Sequence, residues 1–325
     1  MVGEGVAGLG YSMPAVLRRP FEQTFIQCLV IMSMCLVGCS CRDKPTDSVV
    51  GPASFYDVSP AWSPNGDLVA FNRGGPLGPS TWGLFMIRSD GTDETRILDW
   101  PQSRGILTID WSDRDWLLVS TFDETVYKVR PDGTDKTVLY GGPAQGASWS
   151  PDESQLVFRP GFELWLVDSA GTNPRLLDPA DTLLQGFSLN PDWGSGGMIL
   201  HLRYVGNTND PVIAQINPLT LQVTILDSEY VGGGRDYPRW VDSSAFLFFR
   251  YEINKHPQIW RVDSAFATPR CLTCEDMLNE GGGEFAISPV TGEIVYANSK
   301  HGGLSIMEAD GSNKRQLTWP GGNKR

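Results

Sequence analysis

One run of residue types returns six times along the chain: an aromatic or apolar anchor, a tight turn, an apolar stretch, a second apolar stretch and a closing strand. The first copy reads Trp62-Ser63-Pro64-Asn65-Gly66, then Leu68-Val69-Ala70-Phe71, Leu84-Phe85-Met86-Ile87, Asp90-Gly91 and Arg96-Ile97-Leu98. The third is nearly the same: Trp149-Ser150-Pro151-Asp152, Leu156-Val157-Phe158, Leu164-Trp165-Leu166-Val167 and Arg175-Leu176-Leu177. The second keeps Asp110-Trp111-Ser112-Asp113 and Asp132-Gly133, the fifth Trp240-Val241-Asp242 and Cys271-Leu272-Thr273, the sixth Ile287-Ser288-Pro289 and Asp310-Gly311. The fourth is the most eroded, with Leu189-Asn190-Pro191-Asp192 in the anchor position. The anchors at 62, 111, 149, 189, 240 and 287 lie 38 to 51 residues apart. Repeats of about 40–50 residues with several short strands match one four-stranded propeller blade.

Each part of the pattern has a local cause. In Ser-Pro-Asn/Asp-Gly, Pro fixes φ, the Asn or Asp side chain bonds its own backbone, and Gly supplies positive φ. Asp-Gly does the same for the next hairpin. Runs such as Leu-Val-Ala-Phe are apolar on both faces, as strands sandwiched between neighbouring blades must be. The aromatic residues at 62, 85, 111, 127, 149, 165, 240 and 260 recur in register and are expected to fill the wedges between blades. The 36 Gly, 23 Pro and 11 Trp of the 325 residues are therefore turns and wedges counted six times. The expected fold is all-β: a six-bladed β-propeller of four-stranded antiparallel blades over residues 55–325. Two closures of the ring are compatible with the sequence. Residues 50–58 pair with the last blade, or the blades follow the repeats.

These motifs resemble the TolB-type (WD40-like Pro-Asp) propeller repeat, W-S-P-D-G with an I-A-F strand, a W-V strand, D-G and a closing L-T, over residues 58 to 319. The resemblance implies a six-bladed propeller. It does not extend to TolB itself, which carries an α/β domain ahead of its propeller, where residues 39–54 here read only as a tether. Nor does it extend to the hydrolase domain of prolyl-oligopeptidase relatives.

The N-terminus reads as an address. Arg18 and Arg19 precede an apolar run from Phe25 to Val37, and Leu36-Val37-Gly38-Cys39 follows. Thirteen residues, apolar except for Gln27 and Ser33, form a helix too short for a hydrocarbon layer about 30 Å thick but suit a signal peptide. The order of basic, apolar, small and Cys elements predicts a lipoprotein signal over residues 1–38, with Cys39 the lipidated residue. Ser40 after the cysteine favours the outer membrane, facing the periplasm. Residues 39–54 form the lipidated tether. Removing 1–38 takes away two basic and two acidic residues, so the net charge stays at −12.

That acidity argues against a general nucleic-acid binder, which needs a basic surface. The three histidines, His201, His256 and His301, fall in separate copies, so no metal site is expected. No Gly-x-Ser-x-Gly elbow, phosphate-cradling loop or His-Glu-x-x-His occurs, so neither an enzyme nor a bound cofactor is expected. The Gly-rich stretches 232–234, 281–283 and 321–322 read as turns between blades. Cys271-Leu272-Thr273-Cys274 can be a redox pair, half a zinc site or a disulfide; without a second C-x-x-C or a following His, and outside the cytoplasm, a disulfide stapling the adjoining loop is favoured.

The remaining candidates lie near the ends of the second strands. Arg73, Arg203 and Arg250 occupy equivalent positions, and Arg159 and Lys300 fall within one residue of them. Together they form a partial ring of cations on the face opposite the Ser-Pro-Asp-Gly turns. Trp82, Tyr204, Tyr237 and Tyr251 are candidate contact aromatics. The ring either receives an anionic ligand or is neutralised locally by Asp and Glu. The function expected is a cell-envelope lipoprotein acting as a non-catalytic scaffold that binds a protein or peptide. The alternatives are a glycan or cell-wall binding module, favoured by a channel lined by Tyr or Trp with Asp or Asn, and a propeller hydrolase or lyase.

Overall fold

The computed structural model describes residues 56–320 apart from 76–81, 100–104, 122–124, 143, 161–162, 179–190, 205–210, 228–233, 252–256, 264–266, 275–281 and 299–301. All described residues belong to one compact unit, Gly51–Arg325. Cys39, Lys300 and the whole N-terminal address lie outside the described residues.

Among the described residues twenty-four strands form six four-stranded antiparallel sheets, each built from strands consecutive in the chain. Blade 1 holds β1 (Tyr56–Trp62), β2 (Leu68–Gly74), β3 (Gly83–Arg88) and β4 (Thr95–Asp99); blade 2 holds β5 (Ile106–Trp111), β6 (Leu117–Thr121), β7 (Val126–Val129) and β8 (Thr137–Tyr140). Blade 3 holds β9 (Gln145–Trp149), β10 (Gln155–Arg159), β11 (Leu164–Asp168) and β12 (Arg175–Asp178); blade 4 holds β13 (Asp192–Trp193), β14 (Ile199–Tyr204), β15 (Pro211–Ile216) and β16 (Val223–Asp227). Blade 5 holds β17 (Arg235–Trp240), β18 (Phe246–Arg250), β19 (Gln258–Val262) and β20 (Arg270–Cys271); blade 6 holds β21 (Gly282–Ile287), β22 (Ile294–Asn298), β23 (Leu304–Met307) and β24 (Arg315–Gln316). The first strands of successive blades touch in a closed circuit, β1–β5–β9–β13–β17–β21–β1, and so wall the central channel.

There is no single core. Six apolar clusters fill the six seams between successive blades. Ala61, Ala70 and Leu84 meet Ile109, Val119 and Tyr127 between blades 1 and 2. Phe249 and Ile259 meet Phe285 and Tyr296 between blades 5 and 6. The alternation inside one strand shows why both faces are apolar: Val69 and Phe71 pack toward blade 6, Ala70 toward blade 2.

The blades follow the repeats. Closure at the seam between blades 6 and 1 uses apolar packing and a polar clasp instead of a shared sheet. The Asp57 N–H donates to Gly302 O at 2.8 Å, and Thr318 Oγ1 donates to Asp57 Oδ2 at 2.5 Å. Arg73 forks onto Asp57 at 2.6 and 2.8 Å and also reaches Glu94.

Two sequence expectations are corrected. In the fourth copy Trp193, pairing with Ile199, stands where Trp62 pairs with Val69, so Trp193 is the anchor in place of Leu189. The turn is Gly194 to Gly197, closed by the Gly197 N–H donating to Gly194 O, and Pro191 precedes the strand. Gly282 is not part of a turn: it pairs with Asn298 inside β21.

Candidate functional site

Two places gather polar side chains: the channel and the face carrying the β2–β3 and blade-to-blade connections.

The channel walls are bulged strands. Register shifts occur at Val58/Ala61 in β1, Asp236/Arg239 in β17 and Gly282/Phe285 in β21. A bulge re-aims side chains out of the regular alternation. Two of these bulges place Ser59 and Tyr237 at φ 53° and 50°, a region costly for a side chain as large as Tyr. Both hydroxyls grip one carboxylate from the neighbouring strand. Ser59 Oγ donates to Glu284 Oε2 at 2.5 Å and Tyr237 OH donates to Glu284 Oε1 at 2.7 Å. Ser59 Oγ also stands 2.8 Å from Leu107 O of blade 2.

Around Glu284 lie further charges. Asp110, Asp192 and Asp236 come from β5, β13 and β17, and the Arg239 guanidinium lowers the pKa of all four carboxyls. Arg239 Nη1 is 3.7 Å from Asp192 Oδ1, each side chain 20% exposed. Burial nevertheless dominates at every one of them. It raises the Asp192 carboxyl to about 6 and the Asp236 carboxyl to about 7, and it raises Asp110 and Glu284 as well. One guanidinium does not offset the loss of water around four acids. A small cavity lined by Ser59, Thr108, Tyr237, Arg239 and Glu284 has room for about one water-sized group.

Some of these acids also have a structural task. Asp110 Oδ2 accepts the Trp149 N–H at 2.9 Å, Ser148 Oγ the Trp193 N–H at 3.2 Å, and Asp192 Oδ2 the Trp240 N–H at 2.7 Å. The residue before three of the Trp anchors, Trp111, Trp149 and Trp193, thus caps the exposed inner edge of the next blade, which would otherwise carry open backbone donors. The sequence displayed this signal as Asp110-Trp111, Ser148-Trp149 and Asp192-Trp193, and only the fold gives it meaning.

On the opposite site, the loop-bearing face, the cations are engaged locally. Arg73 is 13% exposed and lies over the Phe71 and Phe85 rings at 5.2 and 4.9 Å. Burial works to lower its pKa, and its bonds to Asp57 and Glu94 outweigh that, holding it charged. Arg203 donates through Nη1 to both carboxylate oxygens of Asp178, at 3.0 and 2.9 Å. Arg159 is buried and donates to Leu202 O across the seam between blades 3 and 4. Arg250 sits over the Trp260 ring at 4.9 Å. Trp82 Nε1 donates to Gly75 O, and its ring meets Tyr56 edge-on at 6.2 Å. Tyr204 ends β14, and Tyr251 is 39% exposed at the end of β18. Tyr237 leaves this group for the channel. His201 is packed between blades, where burial first and then Arg159 and Arg203 hold it neutral with a pKa of about 3.

Cys271 and Cys274 are joined as a disulfide with Cα atoms 5.7 Å apart. Between them Thr273 Oγ1 accepts the Ile259 N–H, and Leu272 packs against Gly311 of blade 6.

No protein-family model and no curated protein matches the chain. Solved structures do match. A TolB from Acinetobacter baumannii superposes with a TM-score of 0.60 at 17% identity, over 93% of this chain and 70% of that one. A protein assigned as TolB from Agrobacterium tumefaciens gives 0.57 at 17% identity, over 70% of this chain and 84% of that one. An oligogalacturonate lyase in complex with manganese gives 0.53 at 14% identity, over 85% and 84%. The chain is therefore a TolB-like six-bladed propeller in fold, an architecture that both TolB proteins and a lyase use.

Proposed function

We propose that the chain is an exported, lipid-anchored protein of the outer membrane, facing the periplasm, that binds a protein or peptide partner and performs no covalent chemistry. Cys39 would carry the lipid and residues 39–54 would be the tether, ahead of a propeller spanning 55–325. Recognition would use a rigid ring presenting its loop-bearing face. The observation that carries the reading is the grouping on one face of Arg203, Arg250, Tyr251 and the Tyr56–Trp82 pair. These are held by Asp178, by the Trp260 ring and by edge-on packing, and so are ordered in advance of any partner. The TolB-like fold supports a scaffold role by analogy.

The test is capture of a partner from envelope extracts by the full chain and by the Arg203→Glu/Arg250→Glu variant. The expected outcome is a stoichiometric partner protein lost on charge reversal, while the variant still unfolds cooperatively above the temperature of the capture. Undiminished capture by the variant overturns the loop-face assignment.

One observation favours the glycan reading as second: the channel cavity is lined by Tyr237 together with Glu284, with the Asp236 carboxyl acting on the same Tyr237. Binding of cell-wall oligosaccharide in preference to any protein would select it.

A further inference from the structure

None of the cations placed on the loop-bearing face lines the channel cavity. We propose that this cavity is a binding site for a primary ammonium group, carried on a ligand that enters the channel and docks against Glu284 and Thr108.

Three independent features carry this. The first is a prepared acceptor. Glu284 is gripped by Ser59 and Tyr237, whose backbones are both held at positive φ to do so. A carboxylate offers about four lone-pair sites, and these two hydroxyls together with the Ser59 N–H leave about one of them open. The second is an orphan. Thr108 lines the same cavity, is only 5% exposed, and its Oγ1 has no hydrogen-bond partner. Buried polar atoms are nearly always paired, so an unpaired hydroxyl at a polar cavity marks the place of a missing group. The third is charge. Arg239, the cation in the lining, stands 3.7 Å from Asp192, and among the described residues no ion pair reaches Glu284, whose carboxylate thus has hydrogen-bond donors but no cation of its own.

Size and geometry select the cation. An –NH3+ head is about as large as water, which is what the cavity admits, and it brings three donors and no acceptor. Among the described residues no group of His, Cys, Asp and Glu converges in the way a metal ion requires, so the carboxylates suit a hydrogen-bonded cation rather than a coordinated one. The raised carboxyl pKa values fit this reading, because a bound cation would favour their ionised forms and release protons on binding.

The test is calorimetric titration of the full chain with n-butylammonium chloride, with n-butanol as its uncharged counterpart and calcium chloride as a competitor. Saturable amine binding is expected, roughly tenfold or more tighter than butanol, as befits a charge-assisted contact. Glu284→Gln should weaken it roughly tenfold. Thr108→Val, which keeps the side-chain shape, should weaken it several-fold without lowering the melting temperature, and it decides the matter if Glu284→Gln does not fold. A terminally blocked peptide with one central lysine separates the sources of the same chemistry. Tighter binding than butylammonium points to a polypeptide, and equal or weaker binding to a free amine. Equal binding of butanol, indifference to both substitutions, occupation by an exchangeable water only, or calcium binding that excludes the amine would each overturn the proposal. Arg203 and Arg250 lie outside the cavity, so their reversal leaves amine binding intact, and this proposal and the loop-face reading fail separately.

Discussion

At the scale of single residues the channel acids control how the protein responds to pH. Asp236 has a carboxyl pKa of about 7, against 3.8 for an ordinary Asp, chiefly through burial. The native state therefore keeps a proton that the unfolded chain has released, and Asp236 costs stability as pH rises from about 4 to about 7, levelling off above. Asp192, at about 6, acts in the same direction. His201 acts in the opposite one. At about 3 against 6.5 it refuses a proton that the unfolded chain accepts, so its contribution is lost as pH falls below about 6.5. Comparing wild type with Asp236→Asn isolates the first effect, since Asn retains an oxygen for the Tyr237 N–H that Asp236 Oδ1 accepts at 2.8 Å. The variant should gain on the order of 2–3 kcal/mol relative to wild type between pH 4 and pH 8, allowing for partial exposure to the lumen. Urea denaturation at the two pH values reads this, and a constant difference contradicts it. None of this was legible in the sequence. Asp236 and Glu284 are one blade apart, and the bulges that turn them into a common lumen have no sequence signature.

At the scale of the strand and its turn, the glycine of the turn between third and fourth strands, preceded by Asp at 133 and 311 and by Ala at 171, has a second use beside its positive φ. A Cβ on Gly133 would lie 2.7 Å from Ile97 O, on Gly171 2.1 Å from Leu139 O, and on Gly311 2.8 Å from Leu272 O. In each case the carbonyl belongs to the outer strand region of the preceding blade, so the turn is also the point where blade meets blade. Gly171→Ala therefore combines a left-handed backbone with a backbone collision and should cost about 3 kcal/mol or more. Gly197 has the same kind of φ, +77°, and nothing within 4 Å. Its replacement by Ala should cost only about 1 kcal/mol. Denaturation midpoints distinguish the two, and equal losses would refute the contact role. Sequence reasoning found these turns and both apolar faces of the second strands, because periodicity and turn chemistry are local. It misplaced the fourth anchor on Leu189 because Pro191-Asp192 imitates the turn, while Trp193 and its glycine-rich turn do the work there. The same limit applies to the cations: Arg73, Arg159 and Arg203 were visible as a series, but Asp57, Asp178 and the Leu202 carbonyl that hold them come from elsewhere in the chain.

At the scale of the whole molecule, the ring depends on one seam where the chain's first and last blades meet. Asp57, with its side chain fully buried, binds both Arg73 and Thr318 there. Arg315 Nη2 adds a bond to Ser89 O on the outer rim, as Arg270 does to Asp310 O between blades 5 and 6. Arg73→Met leaves Asp57 buried without its ion partner and should cost about 3 kcal/mol. Adding Asp57→Asn should recover part of that loss, so the double variant is more stable than the sum of the single ones predicts. Strict additivity in denaturation measurements would show that the clasp is not coupled. The repeats could announce six blades but not this seam, because closure joins residues some 260 positions apart. That the seam shares no strand has a consequence for descent. Every sheet is encoded by one contiguous stretch of gene, so a tandem duplication or an in-frame loss of one repeat adds or removes a finished blade and leaves its neighbours' sheets whole. Such a ring can change its number of blades by ordinary recombination, with the two ends needing only to meet again through surfaces that already fit each other.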